Sequence, residues 1–211
     1  MKYIRFDDPH RQKHFDFFNR MSSPHFSLTA PLDITKWLHS LKAQGLPFTP
    51  AMAYLLASAA NEIPAFRWRI RGQSVVEHEQ VSPSFTVQTA ASSVFSFCTV
   101  EYHPSPRAFL RRAQQQMAAV QENPSFEDEP GRDDFLFLSS IPWVAFTQIQ
   151  HAMQSPADSV PRIAWGKYLA QDSGKVIMPV SVQAHHAVVD GQDMGQFFEI
   201  LAASFAQEAS F

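Results

Sequence analysis

A chain of 211 residues, 45% apolar and holding 19 phenylalanines and 4 tryptophans, has the bulk to fill a core and does not read as disordered. Its formal charge of -3 is small and unclustered, which removes the electrostatic case for nucleic acid. Cys98 is the only cysteine, so no internal disulfide forms, and no run approaches the ~18 continuous apolar residues of a membrane span. Met1 to Asp8 hold no apolar signal-peptide core, so a cytoplasmic protein is expected. Cys98 itself lies in an apolar run and reads as a buried, inert thiol.

In chain order, residues Lys13 to Arg20 read as a helix and Phe26 to Ala30 alternate as a strand. Asp33 is placed to cap a helix over Ile34 to Ala43, ended by Gly45 and Pro47. Thr49-Pro50 opens a second, buried helix over Ala51 to Asn61. Phe66 to Ile70 alternates as a strand that turns at Gly72-Gln73 into Ser74 to Glu77. Arg67, Arg69 and Arg71 then share one strand face, expected to be solvated rather than a phosphate site. Strands over Ser84 to Gln88 and Val94 to Tyr102 precede an amphipathic helix over Pro104 to Val120.

The segment Asn123 to Asp134 is acidic, rich in Pro and Gly, and reads as a mobile loop. Phe135 to Ser140 is a buried strand, and Trp143 to Phe146 continues the apolar run past Pro142. A loop over His151 to Val160 leads to a hairpin, Arg162 to Ala170 with Lys175 to Val182, across Asp172-Ser173-Gly174. The last helix is expected from about Asp193 to Glu208. Strands and helices mix without a regular βα repeat or a linker. An α+β fold is therefore expected: one domain over 1–211, a two-layer sandwich with a mixed or antiparallel sheet covered by helices.

The chemistry concentrates in His185-His186-Ala187-Val188-Val189-Asp190-Gly191, between the last strand and the last helix. A histidine at a strand end can be aimed into a cleft, where imidazole moves protons near neutral pH. A metal set of His185, His186 and Asp190 is disfavoured, because adjacent strand residues face opposite ways.

This run resembles the His-His-x-x-x-Asp-Gly motif of the coenzyme A-dependent acyltransferases, and most of all the classical trimeric chloramphenicol acetyltransferases. Further blocks carry the resemblance: Arg11-Gln12-Lys13-His14-Phe15, Phe26-Ser27-Leu28-Thr29, Phe85-Thr86-Val87, Ser139-Ser140-Ile141-Pro142-Trp143, Gly166-Lys167-Tyr168 and Met178 to Gln183. The resemblance implies acetyl transfer from acetyl-CoA, with no metal, to a hydroxyl of chloramphenicol or a similar aromatic alcohol. It implies direct transfer, without an acetyl-enzyme. By the same resemblance His186 is the general base, its ring bonded to its own backbone carbonyl, and Ser139 donates to the oxyanion. Asp190 pairs with Arg11 to brace the histidine's loop, and His185 is structural.

Phe17, Phe18, Phe95 and Phe126 match residues lining the acceptor pocket, and Lys167 and Tyr168 match a region near the coenzyme channel. A homotrimer is implied, with sites between subunits; no membrane or nucleic-acid partner is. Phe18 stands where some members carry tyrosine, and Val189 where cysteine is common. Ala164 replaces a threonine that supports a transition-state water, and Ile149-Gln150-His151 are less apolar than the family's pocket wall. Two alternatives stay open: a related acyltransferase with another hydroxyl or thiol acceptor, and a drug-binding homologue without turnover.

Overall fold

The computed structural model describes every residue except Asp128 and Pro130. These two belong to the loop expected over 123–134, and that expectation lies outside the described residues where they fall. The chain begins with a short strand β1 (Lys2–Ile4), followed by helix α1 (Pro9–Asn19). Helix α1 starts four residues before the sequence pattern suggests. Asp8 caps it, its side chain accepting from the N–H of His10, and Pro9 fills the first helical position, where no amide donor is needed.

Strand β2 (His25–Asp33) is longer than the alternation of Phe26 to Ala30 indicated. Helices α2 (Thr35–Ala43) and α3 (Phe48–Glu62) follow, and α3 is buried along most of its length. Asp33 is not the cap residue proper; its Oδ1 accepts from both the amide and the hydroxyl of Thr35, and the Thr35 hydroxyl in turn accepts from the amide of Val176. A 3-10 turn (Pro64–Arg67) takes up Phe66, so strand β3 (Trp68–Arg71) starts two residues later than expected. Pro64 explains the shift, since its fixed φ suits the first position of a tight helical turn.

The remaining elements are β4 (Ser74–Glu77), β5 (Ser82–Gln88), β6 (Phe95–Thr99), α4 (Pro106–Glu122), β7 (Phe135–Ile141), β8 (Arg162–Gly166), β9 (Leu169–Ala170), β10 (Val176–His185) and α5 (Gly191–Phe205). Strands β1, β4 and β3 form a small antiparallel sheet. The large sheet runs β2-β10-β8-β7-β5-β6, with β9 beside β10. Pairs β5–β7 and β7–β8 are parallel and the others antiparallel, so the sheet is mixed, as the sequence suggested. Helices α3, α4 and α5 pack together and on this sheet. Leu138, Ile163, Trp165, Val180 and Val182 face them in one continuous core with Phe66, Phe109 and Phe197.

The arginine face expected to be solvated is not one. Arg69 is fully buried and donates to the carbonyls of Phe66, Trp68, Asp133 and Phe135. Burial pulls its pKa down to about 10, with Asp133 foremost among the opposing charges. Only Arg71 lies on the outside, paired with Asp133. Guanidinium tolerates this burial because carbonyls satisfy its donors. Cys98 is buried as expected, and burial pushes its thiol up to about 12.

The apolar run past Pro142 does not continue the strand. Strand β7 ends at Ile141, and Trp143 is 77% exposed. The expected hairpin arm over 162–170 is also split, because β8 stops at Gly166. A Cβ on Gly166 would sit 2.7 Å from the Val144 carbonyl oxygen and 2.8 Å from Pro179 Cγ, so only glycine fits this crossing. Pro179 lies inside β10 and has no amide to offer the ladder. The sheet opens at this level, and Lys167 and Tyr168 emerge exposed.

Candidate functional site

His185 closes β10 and His186 follows it, its backbone amide donating to the Pro24 carbonyl. The amides of Val188 and Val189 both donate back to the His185 carbonyl, which makes the turn that separates the two rings. They diverge, as strand geometry requires. The His185 ring is buried, meets His25 edge-on at 5.1 Å, and accepts from the Ala187 amide through Nδ1. Burial first, and then His25, push its pKa down to about 4.

The ring of His186 takes the other direction. It lies between Phe18, centroids 4.1 Å apart, and Phe26, 4.3 Å apart, both stacked on it. His186 Nδ1 lies 3.1 Å from the Val189 carbonyl oxygen. A carbonyl only accepts, so Nδ1 carries a proton, and in the neutral ring the lone pair is on Nε2. The orienting carbonyl is thus that of Val189, three residues on, and not the histidine's own.

Asp190 is exposed and begins α5. Its Oδ1 accepts the amides of Gln192 and Asp193, while Asp193 returns a bond to the Asp190 amide, a complete capping box. Such a cap stabilises a helix end by about 1 kcal/mol. Asp190 makes no ion pair with Arg11 among the described residues, against the expectation that the two pair; its Oδ1 is engaged by the start of α5 instead. Arg11 braces the same turn through other atoms. It donates to the Ala187 carbonyl at 2.9 Å and the Val188 carbonyl at 3.2 Å, with its guanidinium 4.5 Å from the Phe6 ring centre. Burial lowers its pKa, and the fields of Asp193 and Asp190 oppose that.

The other expected residues fall into three places. Phe17 and Phe18 are on α1, 5.1 Å apart and edge to face, with Phe17 exposed beside the His186 stack. Phe95 and Phe126 form a second aromatic group with Phe97 at the β6 edge of the sheet. Lys167 and Tyr168 line a cleft of about 400 Å³ with Phe48, Thr49 and Ser140, and Lys42 Nζ lies 5.6 Å over the Tyr168 ring.

Ser139 is in none of these groups. It pairs with Ala164, which pairs with Ser181, so it lies two strands from β10 and level with a residue five positions before His186. At about 4.8 Å between strands and roughly 3.3 Å per residue, the two Cα atoms are about 19 Å apart. Full extension of both side chains toward each other would shorten this by only about 7 Å. Serine stands off the sheet rather than along it, so the real gap is wider. One attack distance and two hydrogen bonds in a straight line span about 10 Å. On this estimate His186 and Ser139 of one chain lie too far apart to share a reacting centre. Phe95, four strands from β10, is about 19 Å away across the sheet.

Sequence reasoning passed over Phe26 and His14 as site residues. Phe26 carried a signal in its place beside His25: in the β2–β10 register His25 pairs with His185 and Phe26 with Ala184, at the strand end that carries the motif. His14 sits three residues after Arg11 on one helix face, the spacing at which side chains meet. Arg11 donates to its Nδ1 at 2.9 Å, and its ring lies 5.5 Å from that of His186. The departures in the wall segment also have a place: the His151 amide donates to Gln183 on β10, and its half-buried ring has its pKa pushed down to about 4 by burial and then Arg162. Ala164 is fully buried between Ser139 and Ser181.

Comparison with known proteins gives this arrangement a family. The model of the chloramphenicol acetyltransferase family matches residues 1–202. A chloramphenicol acetyltransferase of Escherichia coli is 33% identical over 193 residues, 91% of this chain and 88% of the relative. Another from the same organism, chloramphenicol acetyltransferase 3, is 30% identical over 205 residues, 95% and 96% of the two chains. A solved chloramphenicol acetyltransferase structure superposes with a TM-score of 0.84 at 24% identity, covering 98% of this chain and all of its own. A probable dihydrolipoamide acetyltransferase from Listeria monocytogenes shares the fold with a TM-score of 0.68 at 15% identity, over 98% and 94% of the chains. The chain described here belongs to the chloramphenicol acetyltransferase family.

Proposed function

We propose that this protein transfers the acetyl group of acetyl-CoA to a hydroxyl of chloramphenicol, with His186 as general base. Family membership supports the acyltransferase chemistry and the acceptor. The observation that carries the base is the bond from His186 Nδ1 to the Val189 carbonyl, which in the neutral ring puts the lone pair on Nε2. Nε2 takes the proton of the acceptor hydroxyl as that oxygen attacks the thioester carbonyl. A positioned base of this kind contributes roughly 100- to 10,000-fold. The imidazolium then returns its proton to the departing thiolate, and no acetyl-enzyme forms.

Ser139 donates to the oxygen on which charge develops, and it comes from a neighbouring copy of the chain. The separation of about 19 Å within one chain supports that arrangement. So does the division of the aromatic residues, with Phe17 and Phe18 beside His186 and Phe95 and Phe126 at the far edge of the sheet. A homotrimer with one such junction per subunit joins the two halves of an apolar acceptor pocket suited to a nitrophenyl ring. Arg11 and Asp190 hold the turn that carries His186, the first through carbonyls and the second by capping α5.

The cleft at Lys167 and Tyr168 fits coenzyme A in kind. Two lysines, Lys167 and Lys42, can meet phosphates, and Tyr168 and Phe48 offer flat faces to a base. No helix is long and apolar enough to cross a membrane among the described residues. A coenzyme A-dependent reaction in a chain with one buried thiol belongs in the cytoplasm. We take residues 1–211 to act as one domain.

The test is release of free thiol from acetyl-CoA in the presence of chloramphenicol, with dihydrolipoamide as the competing acceptor. Saturable release with chloramphenicol, abolished in His186→Ala with its assembly intact, is the expected result. Preference for dihydrolipoamide would move the chain to the thiol-acceptor reading. Chloramphenicol binding without turnover would make it a sequestering protein.

A further inference from the structure

The site holds a second imidazole that the proposed reaction does not use. His14 lies on α1 with its ring 4.8 Å from Phe18 and 5.5 Å from His186, edge-on to the latter. Its Nδ1 is 2.9 Å from a terminal nitrogen of Arg11. Guanidinium has donors and no lone pair to share, so this contact forms only when His14 Nδ1 is unprotonated. The ring is therefore neutral and carries its proton on Nε2. The same Arg11 nitrogen donates to the Ala187 carbonyl, and its twin donates to the Val188 carbonyl. Arg11 is thus a bridge, with His14 at one end and the His186 turn at the other.

We propose that His14 is a positioning residue for acetyl transfer: its neutral ring holds the Arg11 guanidinium on the turn that aims His186, and protonation of His14 releases that hold. The proposal rests on His186 as the base. A proton on His14 Nδ1 would remove the acceptor that Arg11 uses and set two cations against each other on one turn of helix. It would also put positive charge beside His186, which must itself become an imidazolium during turnover. The charged and titratable groups facing His14 are Arg11 and His10 on its own helix, and His186 and Asp190 from the turn opposite. Three of these disfavour its protonation and only Asp190 favours it. Burial is the largest cause that keeps its pKa below the ordinary imidazole value, followed by Arg11 and His186.

The consequence is a reaction that needs two neutral imidazoles. As pH falls, titration of His14 adds its own proton to the loss of kcat/KM, so the acidic limb is steeper than in a variant without this ring. Asparagine is the informative replacement, because its side-chain oxygen falls near the position of Nδ1 and accepts from Arg11 without titrating. Leucine removes the acceptor and keeps the apolar contact with Phe18.

The experiment measures kcat and KM for acetyl-CoA from pH 5 to 9 in the wild type, His14→Asn, His14→Leu and His186→Ala, with long-range nitrogen–proton spectra of the labelled imidazoles. At neutral pH His14→Leu is expected to lose roughly 10- to 100-fold in kcat, with KM little changed. His14→Asn is expected to recover most of that loss and to show a single-proton acidic limb. Wild-type spectra are expected to put the His14 proton on Nε2, a reading that needs no variant to fold. A His14→Leu variant with the kcat and the steep limb of the wild type overturns the proposal, as does a wild-type ring protonated on Nδ1. An active His186→Ala variant defeats the base assignment instead, and with it this role for His14, while the spectra still report on the Arg11 bond.

Discussion

Consider the mixing of two inactive variants, His186→Ala and Ser139→Ala. Each lacks one of two groups about 19 Å apart in a single chain, farther than one reacting centre can span. If the centre forms between copies, each variant still carries the half that the other has lost. Co-expressed in equal amounts and assembled at random, a junction is intact when its histidine comes from a Ser139→Ala chain and its serine from a His186→Ala chain. Each event has even odds, so about one junction in four is native, whatever the number of subunits in a closed ring. Both parents should be at least ~100-fold down, since loss of one oxyanion donor alone raises the barrier by roughly 2.7–4 kcal/mol. The mixture should therefore recover about a quarter of wild-type thiol release, far above either parent. Titrating the ratio of the two variants should give a parabola peaking at equal amounts. Activity equal to the sum of the parents, at every ratio and with heteromers shown to form, would refute a centre shared between copies.

Ser139→Ala alone should lower kcat ~100- to 1,000-fold with KM for acetyl-CoA changed only a few-fold, because the bond matters where charge develops; equal effects on both constants would contradict that role. Acid should unfold the protein in a defined window. His185 and His151 both have pKa values pushed down to about 4, so between pH 6.5 and 4 the unfolded chain binds protons that the folded one refuses. Stability is full above that window and lost as pH falls through it. The loss is about 3 kcal/mol for His185 alone, at 1.36 kcal/mol per pH unit. Urea midpoints at fixed protein concentration that are equal at pH 7 and pH 5 would rule this out. Arg11→Met leaves the carbonyls of Ala187 and Val188 without their donor, so a stability loss of about 2 kcal/mol is expected together with lower turnover. Unchanged melting and activity would remove its bracing role.

Features that depend on near neighbours in the chain were legible. The strand leading into the two histidines and the helix that follows them lie within one short run, and the divergence of the two histidines follows from strand geometry alone. The mixed sheet and its helical cover were legible in the order of the periodic segments. What was not legible depends on contacts made at a distance. Arg69 alternates with Arg67 and Arg71 as a surface residue would, and only the carbonyls of Asp133 and Phe135, brought alongside by folding, make its burial tolerable. Asp190 resembled one half of an ion pair, but two adjacent amides at the helix start engage its oxygen first. The break after Gly166 requires Val144, beyond the end of β7, and Pro179, inside β10, to crowd one atom, and no local pattern encodes that. The distance between His186 and Ser139 emerges only once strand order and register are known.

The stacking of Phe18 and Phe26 on opposite sides of one imidazole has a kinetic consequence. A ring held flat between two others cannot rotate out of its plane to carry a proton from one ligand to another, as a freer histidine would. In the proposed reaction, pick-up and delivery would then occur at the same rim atom, so that alcohol and thiolate take turns at a single docking point.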